Sequence, residues 1–234
     1  KLMLKKINNH FNNDSYEEIN IVNKNIKKPP SFNKSIKCVI VGDSAVGKTS
    51  IINTYNKRNN EYNESTLGAT YWELCYDFDK DLRAKINFWD TAGQERYNAL
   101  IPMYVRDCDI IIITFDLTNI NTFNSLRKWY NFINNFYNIP EIIIVGNKVD
   151  LEIYRAVTSK DIEKFVNKNV KNKPAVFETS ALNNINIDEL FKHIFSITKK
   201  IINERLKNKL RDKEIGNFHS NYQDGPKYKC CSLM

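Results

Sequence analysis

The segment that most limits what this chain can fold into is residues 42–49, which read GDSAVGKT. They match the pattern G-x-x-x-x-G-K-[ST], in which glycines allow successive backbone N–H groups to face phosphate oxygens. A candidate strand precedes the segment and a candidate helix follows it, so the positive end of a helix dipole would lie at the same point. The pattern is expected by chance only about 0.002 times in a chain of this composition. The segment therefore predicts a phosphate-binding loop, in which Lys48 contacts the β- and γ-phosphates and Thr49 ligates Mg²⁺.

Around this loop, short β-rich runs alternate with helical patterns, which is typical of a mostly parallel sheet with connecting helices. The candidate strands are 37–41, 71–78, 85–89, 110–115, 142–145 and 176–179. The candidate helices are 49–58, 99–106, 123–137, 159–167 and 187–206. A short turn at 79–82 separates the second and third strands, so we expect that pair to be antiparallel. The last helix places apolar side chains on one stripe, which predicts a core-facing helix: Ile187, Leu190, Phe191, Ile194 and Ile201.

The formal net charge of +8 is distributed unevenly along the 234 residues. Residues 1–35 contain seven Lys and three acidic residues, and residues 201–234 contain seven basic and four acidic residues. The part between them is nearly neutral, which argues against a nucleic-acid-binding face and favours anionic lipid as the partner of the ends. We predict a mobile N-terminal extension (1–35), one domain (36–206) and a flexible tail (207–234). The longest apolar run is far shorter than the roughly 18 residues of a membrane-spanning helix.

Four further segments follow the loop in a fixed order: STLG at 65–68, WDTAGQE at 89–95, NKVD at 147–150 and TSA at 179–181. The third and fourth are weak signals when taken alone, and their shared order and spacing give them their weight. Together with the loop they resemble the Ras superfamily of small GTPases over roughly residues 36–200. The resemblance implies a P-loop NTPase G domain: an α/β fold with a six-stranded, mostly parallel sheet, one antiparallel edge strand and helices on both faces.

The resemblance also implies a site for GTP or GDP with Mg²⁺. The phosphate-binding residues would be Ser44, Ala45, Val46, Gly47, Lys48, Thr49 and Ser50. The Mg²⁺ ligands would be Thr49, Thr66 and, through water, Asp90. The Gly93 amide would bind the γ-phosphate, and Gln94 would orient the attacking water.

The segments at 147–150 and 179–181 would bind guanine. Asp150 would accept hydrogen bonds from guanine N1–H and the 2-amino group, which adenine does not offer. The aliphatic part of Lys148 would cover the base, and the amide of Ala181 would meet guanine O6. Asn147 and Ser180 complete this set of nucleotide-binding residues.

Several segments resemble the Rab branch of the superfamily: GATY at 68–71, KINF at 85–88, ERY at 95–97 and FDLT at 115–118. DSAV at 43–46 and ALIPMY at 99–104 are similar in particular to the early-endosomal Rabs. The resemblance implies an effector surface formed by Tyr71, Trp89 and Tyr104. The alternative is that these are ordinary core aromatics, and for Trp89 the two interpretations have similar weight. The chain departs from the family at Asn59, where many members have an aromatic residue, and at Asp107, where Rabs have glycine.

Two adjacent cysteines, Cys230 and Cys231, lie near the end of the chain, as they do in doubly geranylgeranylated Rabs. Cys231 also begins a C-a-a-X box whose final Met favours farnesyl. Two lipid chains anchor a protein stably, whereas one gives marginal binding. A disulfide is the alternative interpretation of the pair. The remaining cysteines lie within or beside candidate strands and are predicted to be buried thiols: Cys38, Cys75 and Cys108.

The resemblance therefore implies a monomeric Rab-type GTPase that regulates vesicle traffic on the endocytic route, at the cytoplasmic face of endosomal membranes. Its expected partners are an exchange factor, a GTPase-activating protein, a GDP-dissociation inhibitor and effectors, with no nucleic acid. No arginine finger is evident within the chain, so slow intrinsic hydrolysis is expected.

One alternative is a nucleotide-locked pseudo-GTPase that acts as a scaffold, which Asn59 and Asp107 favour and Gln94 disfavours. The other is a nucleic-acid-dependent ATPase, against which the guanine motif and the near-neutral middle argue.

Overall fold

The computed structural model describes residues 34–56, 69–79, 82–93, 99–136, 140–170 and 173–220. The extension predicted over residues 1–35 lies outside these ranges except for its last two residues, and the cysteine pair at 230–231 lies outside them as well. The strands are β1 (Ser35–Val41), β2 (Ala69–Asp79), β3 (Leu82–Thr91), β4 (Ile110–Asp116), β5 (Glu141–Asn147) and β6 (Ala175–Thr179). The helices are α1 (Lys48–Tyr55), α2 (Ile101–Val105), α3 (Ile120–Asn124), α4 (Leu126–Asn134), α5 (Ser159–Asn169) and α6 (Ile187–Ser220), with a 3₁₀ helix at Val149–Tyr154.

Within the described residues, six strands form one sheet in the order β2-β3-β1-β4-β5-β6. β1 pairs in parallel with β3 and β4, and β5 pairs in parallel with β4 and β6. β2 pairs with β3 in antiparallel fashion at the edge. Every residue of β4, IIIITFD, is buried, as expected of a parallel strand covered on both faces. The predicted sheet, including its antiparallel edge strand, is confirmed.

The apolar core consists of two clusters, one on each face of the sheet. The first joins alternate residues of β1, such as Ile36 and Ile40, to α1 and α6. The second joins the intervening residues of β1, such as Val39 and Val41, to α2, α4 and α5. Successive side chains of a strand point to opposite faces, so one strand serves both clusters. Helices therefore cover both faces, as the sequence predicts.

The helical region between β4 and β5 differs from the sequence prediction in its start and in its division into two helices. The single helix predicted over 123–137 is two helices, α3 and α4, that meet at Ser125. α3 begins at Ile120 because the side chain of Asn119 accepts a hydrogen bond from the backbone N–H of Asn121 at 3.0 Å. This N-terminal cap stabilises an earlier helix start than the apolar pattern alone indicates.

Helix α6 confirms the predicted stripe but not the predicted end. Ile187, Leu190, Phe191 and Ile194 are buried, and Ile201 packs against the same cluster while partly exposed. The helix then continues to Ser220, whereas the apolar pattern predicts its end at Leu206 and a flexible tail is predicted from residue 207. The residues after Ile202 whose burial is described, 203–209 and 211, are exposed, but Lys, Leu, Arg and Glu in this stretch have high helix propensity. None of the helices in the described ranges combines the length and apolarity needed to cross a bilayer.

The three cysteines within the sheet region are not equally buried. Cys38 and Cys108 are buried thiols, as predicted, and burial is the main cause that raises the pKa of each. The prediction for Cys75 is wrong, because this thiol is exposed. Cys75 follows Leu74 on the edge strand β2, and Leu74 packs against the core. Adjacent side chains point to opposite faces, so Cys75 faces away from the core.

Asp107 lies just beyond α2, at the position where the resemblance to Rabs leads to the expectation of glycine. Its φ of 55° is in the left-handed region, which glycine adopts at no steric cost and Asp tolerates better than most residues. The backbone therefore has the conformation that a glycine would favour, although the residue is not glycine.

Candidate nucleotide-binding site

The phosphate-binding loop connects the carboxyl end of β1 to the first turn of α1. Gly42, its first residue, has φ of +144°, and a Cβ built on it would lie 2.1 Å from the main-chain oxygen of Thr114 in β4. No side chain fits there without moving the sheet backbone. Since α1 begins at Lys48, the positive end of its dipole lies at the loop. The loop therefore lies at a helix N-terminus, a setting that favours anions.

The Lys48 ammonium group lies across this loop. Its Nζ donates hydrogen bonds to the main-chain oxygen of Gly42 at 3.0 Å and of Asp43 at 2.7 Å. The side chain is buried, with 6% of its residue surface exposed. Burial lowers the pKa of Lys48 to about 8, against the opposing effect of the Asp90 and Asp43 carboxylates. A bound phosphate would supply further negative charge and favour the protonated amine.

The two described residues assigned to Mg²⁺ meet at the end of β3. The Thr49 hydroxyl donates a hydrogen bond to Oδ2 of Asp90, whose side chain is fully buried. A hydroxyl and a carboxylate are hard oxygen ligands of the kind that Mg²⁺ prefers, and they lie beside the Lys48 ammonium. The donor set therefore fits the ion. Thr66, the third assigned ligand, lies outside the described residues.

Gly93 approaches the loop from the other side. A Cβ on Gly93 would lie 2.3 Å from the main-chain oxygen of Asp43 and 2.4 Å from Lys48 Nζ. This contact places the Gly93 backbone at the end of the Lys48 side chain, where the sequence predicts the γ-phosphate. Gln94, the predicted catalytic residue, lies outside the described residues.

Asn147 connects three segments of the site. Its Nδ2 donates to the main-chain oxygen of Val46 at 2.9 Å. Its Oδ1 accepts from Thr179 Oγ1 and from the Ala181 amide, both at 3.2 Å. Asn147 and Ala181 are both expected from the family resemblance to contact the nucleotide, whereas in the structure these two groups bond to each other. Asn147 is buried, so it braces the phosphate-binding loop against the segment after β6.

The Lys148 ammonium group pairs with Asp116 at the end of β4, at a distance of 2.7 Å. Asp116 also accepts hydrogen bonds from the Thr118 amide at 2.8 Å and the Thr118 hydroxyl at 2.7 Å. Burial tends to raise the pKa of Asp116, but the bonds from Lys148 and Thr118 outweigh it and lower the pKa. In the sequence, Asp116 is notable only as part of the FDLT segment, and its role beside Lys148 is not predicted. No signal in the chain pairs it with Lys148.

The remaining base-binding candidates directly follow β5 and β6. Asp150 is partly buried in the 3₁₀ helix that follows β5. Ser180 is buried directly after β6, where its amide donates to the main-chain oxygen of Ile185 at 3.0 Å. Because β5 and β6 are adjacent and parallel, their carboxyl ends meet at one edge of the sheet. The predicted base-binding segments are thus brought together at that edge.

The three aromatic residues of the predicted effector surface are also neighbours. The ring centroids of Tyr71 and Trp89 lie 5.4 Å apart, and those of Trp89 and Tyr104 lie 5.6 Å apart. Tyr71 is 47% exposed, whereas Trp89 and Tyr104 pack partly against the second core cluster. Trp89 therefore belongs to the core and to a surface aromatic group at the same time.

Comparison with known proteins agrees with this geometry. The Ras family model matches residues 37–200. "Ras-related protein Rab-11B" of Dictyostelium discoideum is 32% identical over 228 residues, which cover 88% of this chain and all of that protein. "GTP-binding protein ypt5" of Schizosaccharomyces pombe is 36% identical over 170 residues, which cover 70% of this chain and 77% of that protein. A family match over most of the chain, together with a relative matched along its whole length, shows that this chain belongs to the Ras family, as a Rab-type small GTPase and hence a GTP hydrolase.

Proposed function

We propose that the protein binds GTP and GDP together with Mg²⁺ at this site and regulates membrane traffic by cycling between the two nucleotide states. The observation that carries the proposal is the position of the buried Lys48 ammonium beside the Thr49–Asp90 pair, at the start of α1. A cation, two hard oxygen ligands and a helix N-terminus converge on one small volume. Such convergence suits a polyphosphate with its metal ion.

The chemistry of hydrolysis in such a site is mainly positioning and charge stabilisation. Lys48 would bind the β- and γ-phosphates, and the Gly93 amide would donate to a γ-phosphate oxygen. Thr49 and Asp90 would hold Mg²⁺, which neutralises charge on the phosphates when it is bound. The water-orienting role goes to Gln94, on the basis of the family resemblance.

Guanine selectivity is assigned to Asp150, with Lys148 covering the base. The Asp116–Lys148 ion pair supports this role, because it fixes the end of the Lys148 side chain. Asp150→Asn should therefore shift preference from guanine toward xanthine, since an amide donates where the carboxylate accepted. Competition of GTP and XTP for the variant measures the shift, and unchanged GTP preference would remove Asp150 from base recognition.

The cellular part of the proposal is an endocytic Rab cycle. Prenylation at Cys230 and Cys231 would attach the protein to the cytoplasmic face of endosomal membranes. The aromatic group Tyr71, Trp89 and Tyr104 would bind effectors in the GTP state. An exchange factor, a GTPase-activating protein and a GDP-dissociation inhibitor would complete the cycle. Mass spectrometry of the native C-terminal peptide tests the anchor, for which two C20 prenyl groups are expected.

Single-turnover hydrolysis of bound GTP tests the enzymatic part of the proposal. The wild-type protein should hydrolyse slowly and accelerate about 10³–10⁵-fold with an activating protein. Gln94→Leu should bind nucleotide normally and lose that acceleration. Turnover that is equal in the two proteins would exclude the role of Gln94, and bound GTP that no activator hydrolyses would indicate a nucleotide-locked scaffold.

A further inference from the structure

Trp129 on α4 makes a hydrogen bond to the phosphate-binding loop. Its indole Nε1–H donates to Oδ1 of Asp43 at 3.0 Å, across 86 positions of sequence. The indole ring is partly buried and packs against the second core cluster. The donor is thus held by the core and by α4, and it meets an acceptor in the loop.

Asp43 also takes part in the contacts that hold Lys48. Its main-chain oxygen accepts a hydrogen bond from Lys48 Nζ at 2.7 Å. The Gly93 backbone also approaches this oxygen, because a Cβ built on Gly93 would lie 2.3 Å from it. The Asp43 side chain bonds to Trp129 while its carbonyl bonds to Lys48. A change in the orientation of Asp43 would therefore move an acceptor of the ammonium group.

The surroundings of this hydrogen bond are open within the described part of the chain. Trp129, Asp43 and Ser44 line one cavity of about 620 Å³, together with Phe132 of α4 and Ile101 of α2. Among the described contacts, the indole hydrogen bond is the one that joins the Asp43 side chain to α4. A hydrogen bond to a carboxylate is stronger than one between neutral groups, so it is well suited to fix this side chain.

We propose that Trp129 is a positioning residue for nucleotide binding. Its indole N–H fixes Asp43, and the Asp43 carbonyl oxygen in turn holds the Lys48 ammonium in place for the phosphates. This role deepens the proposed function and rests on it, because it concerns the same nucleotide. Helix α4 would therefore help to set the geometry of the loop between β1 and α1.

The test is a double-mutant cycle on the dissociation rate of fluorescent GDP. Trp129→Phe keeps an aromatic ring and removes the donor, so GDP should dissociate about tenfold faster. In an Asp43→Ala background the same substitution should have no further effect, because its acceptor is already absent. The cycle cancels whatever the lost Asp43 charge does by itself. Phe132→Leu is the matched control, since it alters the same helix and cavity wall, and it should leave the rate within about twofold.

Affinity for GMP separates positioning from general loss of structure. Lys48 would bind the β- and γ-phosphates, so Trp129→Phe should weaken GDP binding and leave GMP affinity, measured by competition, nearly unchanged. Equal losses for GDP and GMP, an unchanged GDP rate, or additive effects in the cycle would each overturn the positioning role. Wild-type protein that binds no GDP would overturn the proposed function itself, whereas wild-type binding with unaffected variants would overturn only this inference.

Discussion

The phosphate-binding loop and the segments after β5 and β6 are held in place by different kinds of interaction. The loop depends on backbone: Gly42 has a positive φ beside the Thr114 carbonyl, and main-chain oxygens hold Lys48. The proposed base-binding side depends on side chains, namely the amide of Asn147 and the Asp116–Lys148 ion pair. Phosphate is similar in all nucleotides, whereas the base is what distinguishes them. A backbone cradle therefore suits the common part of the ligand, and a side-chain network suits the specific part.

The largest effect on nucleotide binding and stability is expected at Gly42, where the neighbouring backbone leaves no room for a side chain. Gly42→Ala should abolish nucleotide binding and lower the free energy of unfolding by about 3 kcal/mol or more, because the new Cβ would lie 2.1 Å from a main-chain oxygen. Chemical denaturation and GDP titration measure the two losses. Ala45→Gly is the control in the same loop, since Ala45 has φ of 61° and glycine relieves that strain. If the Gly42 variant kept wild-type GDP affinity, the loop would not depend on its backbone geometry.

Removing the side chain that joins the two regions should have the next largest effect. Asn147→Ala leaves the Ala181 amide and the Val46 carbonyl without this partner, which should cost about 2–4 kcal/mol of stability and weaken GDP and GMP alike. Thr179→Val removes one of the same bonds and should cost about 1 kcal/mol. Denaturation curves for both variants measure the difference. Equal costs for the two variants would argue against Asn147 as the connecting residue.

The third effect concerns Asp116; it is smaller than the loss expected for Asn147→Ala, and it depends on pH. The pKa of this carboxyl is lowered from 3.8 in the folded protein, so its contribution to stability is present above about pH 4 and is lost as pH falls through the folded-state value. At pH 7 Asp116→Asn should destabilise the fold by about 1–2 kcal/mol and release the Lys148 ammonium group. The difference between variant and wild type should shrink below pH 4. A constant difference from pH 7 down to pH 2 would contradict this assignment.

Local sequence patterns predicted the strands and the phosphate-binding loop, because periodicity and glycine spacing are local properties, and the resemblance to small GTPases indicated the other site segments. Contacts between distant residues could not be predicted in the same way. The Asn147–Val46 bond spans 101 positions of sequence and the Trp129–Asp43 bond spans 86. No local pattern around Asn147 or Trp129 indicates which residue it contacts. The end of α6 was misplaced for a related reason. The apolar stripe ends where burial ends, while the helix beyond it depends on propensity.

The length of α6 has a mechanical consequence for the proposed membrane anchor. Among the helix residues whose burial is described, Ile202 is the last buried one, and the helix continues to Ser220, which at about 1.5 Å per residue is about 27 Å of rod. A rigid helix fixes the direction in which the chain leaves the domain, whereas a flexible chain limits only the distance between its two ends. In the prenylated protein, the stand-off between the nucleotide site and the bilayer would therefore be set partly by the stiffness of this rod. Lengthening or shortening the rod by about two residues, roughly half a turn, would also move the attachment point to the opposite side of the helix axis, and so alter which side of the GTPase faces the lipid.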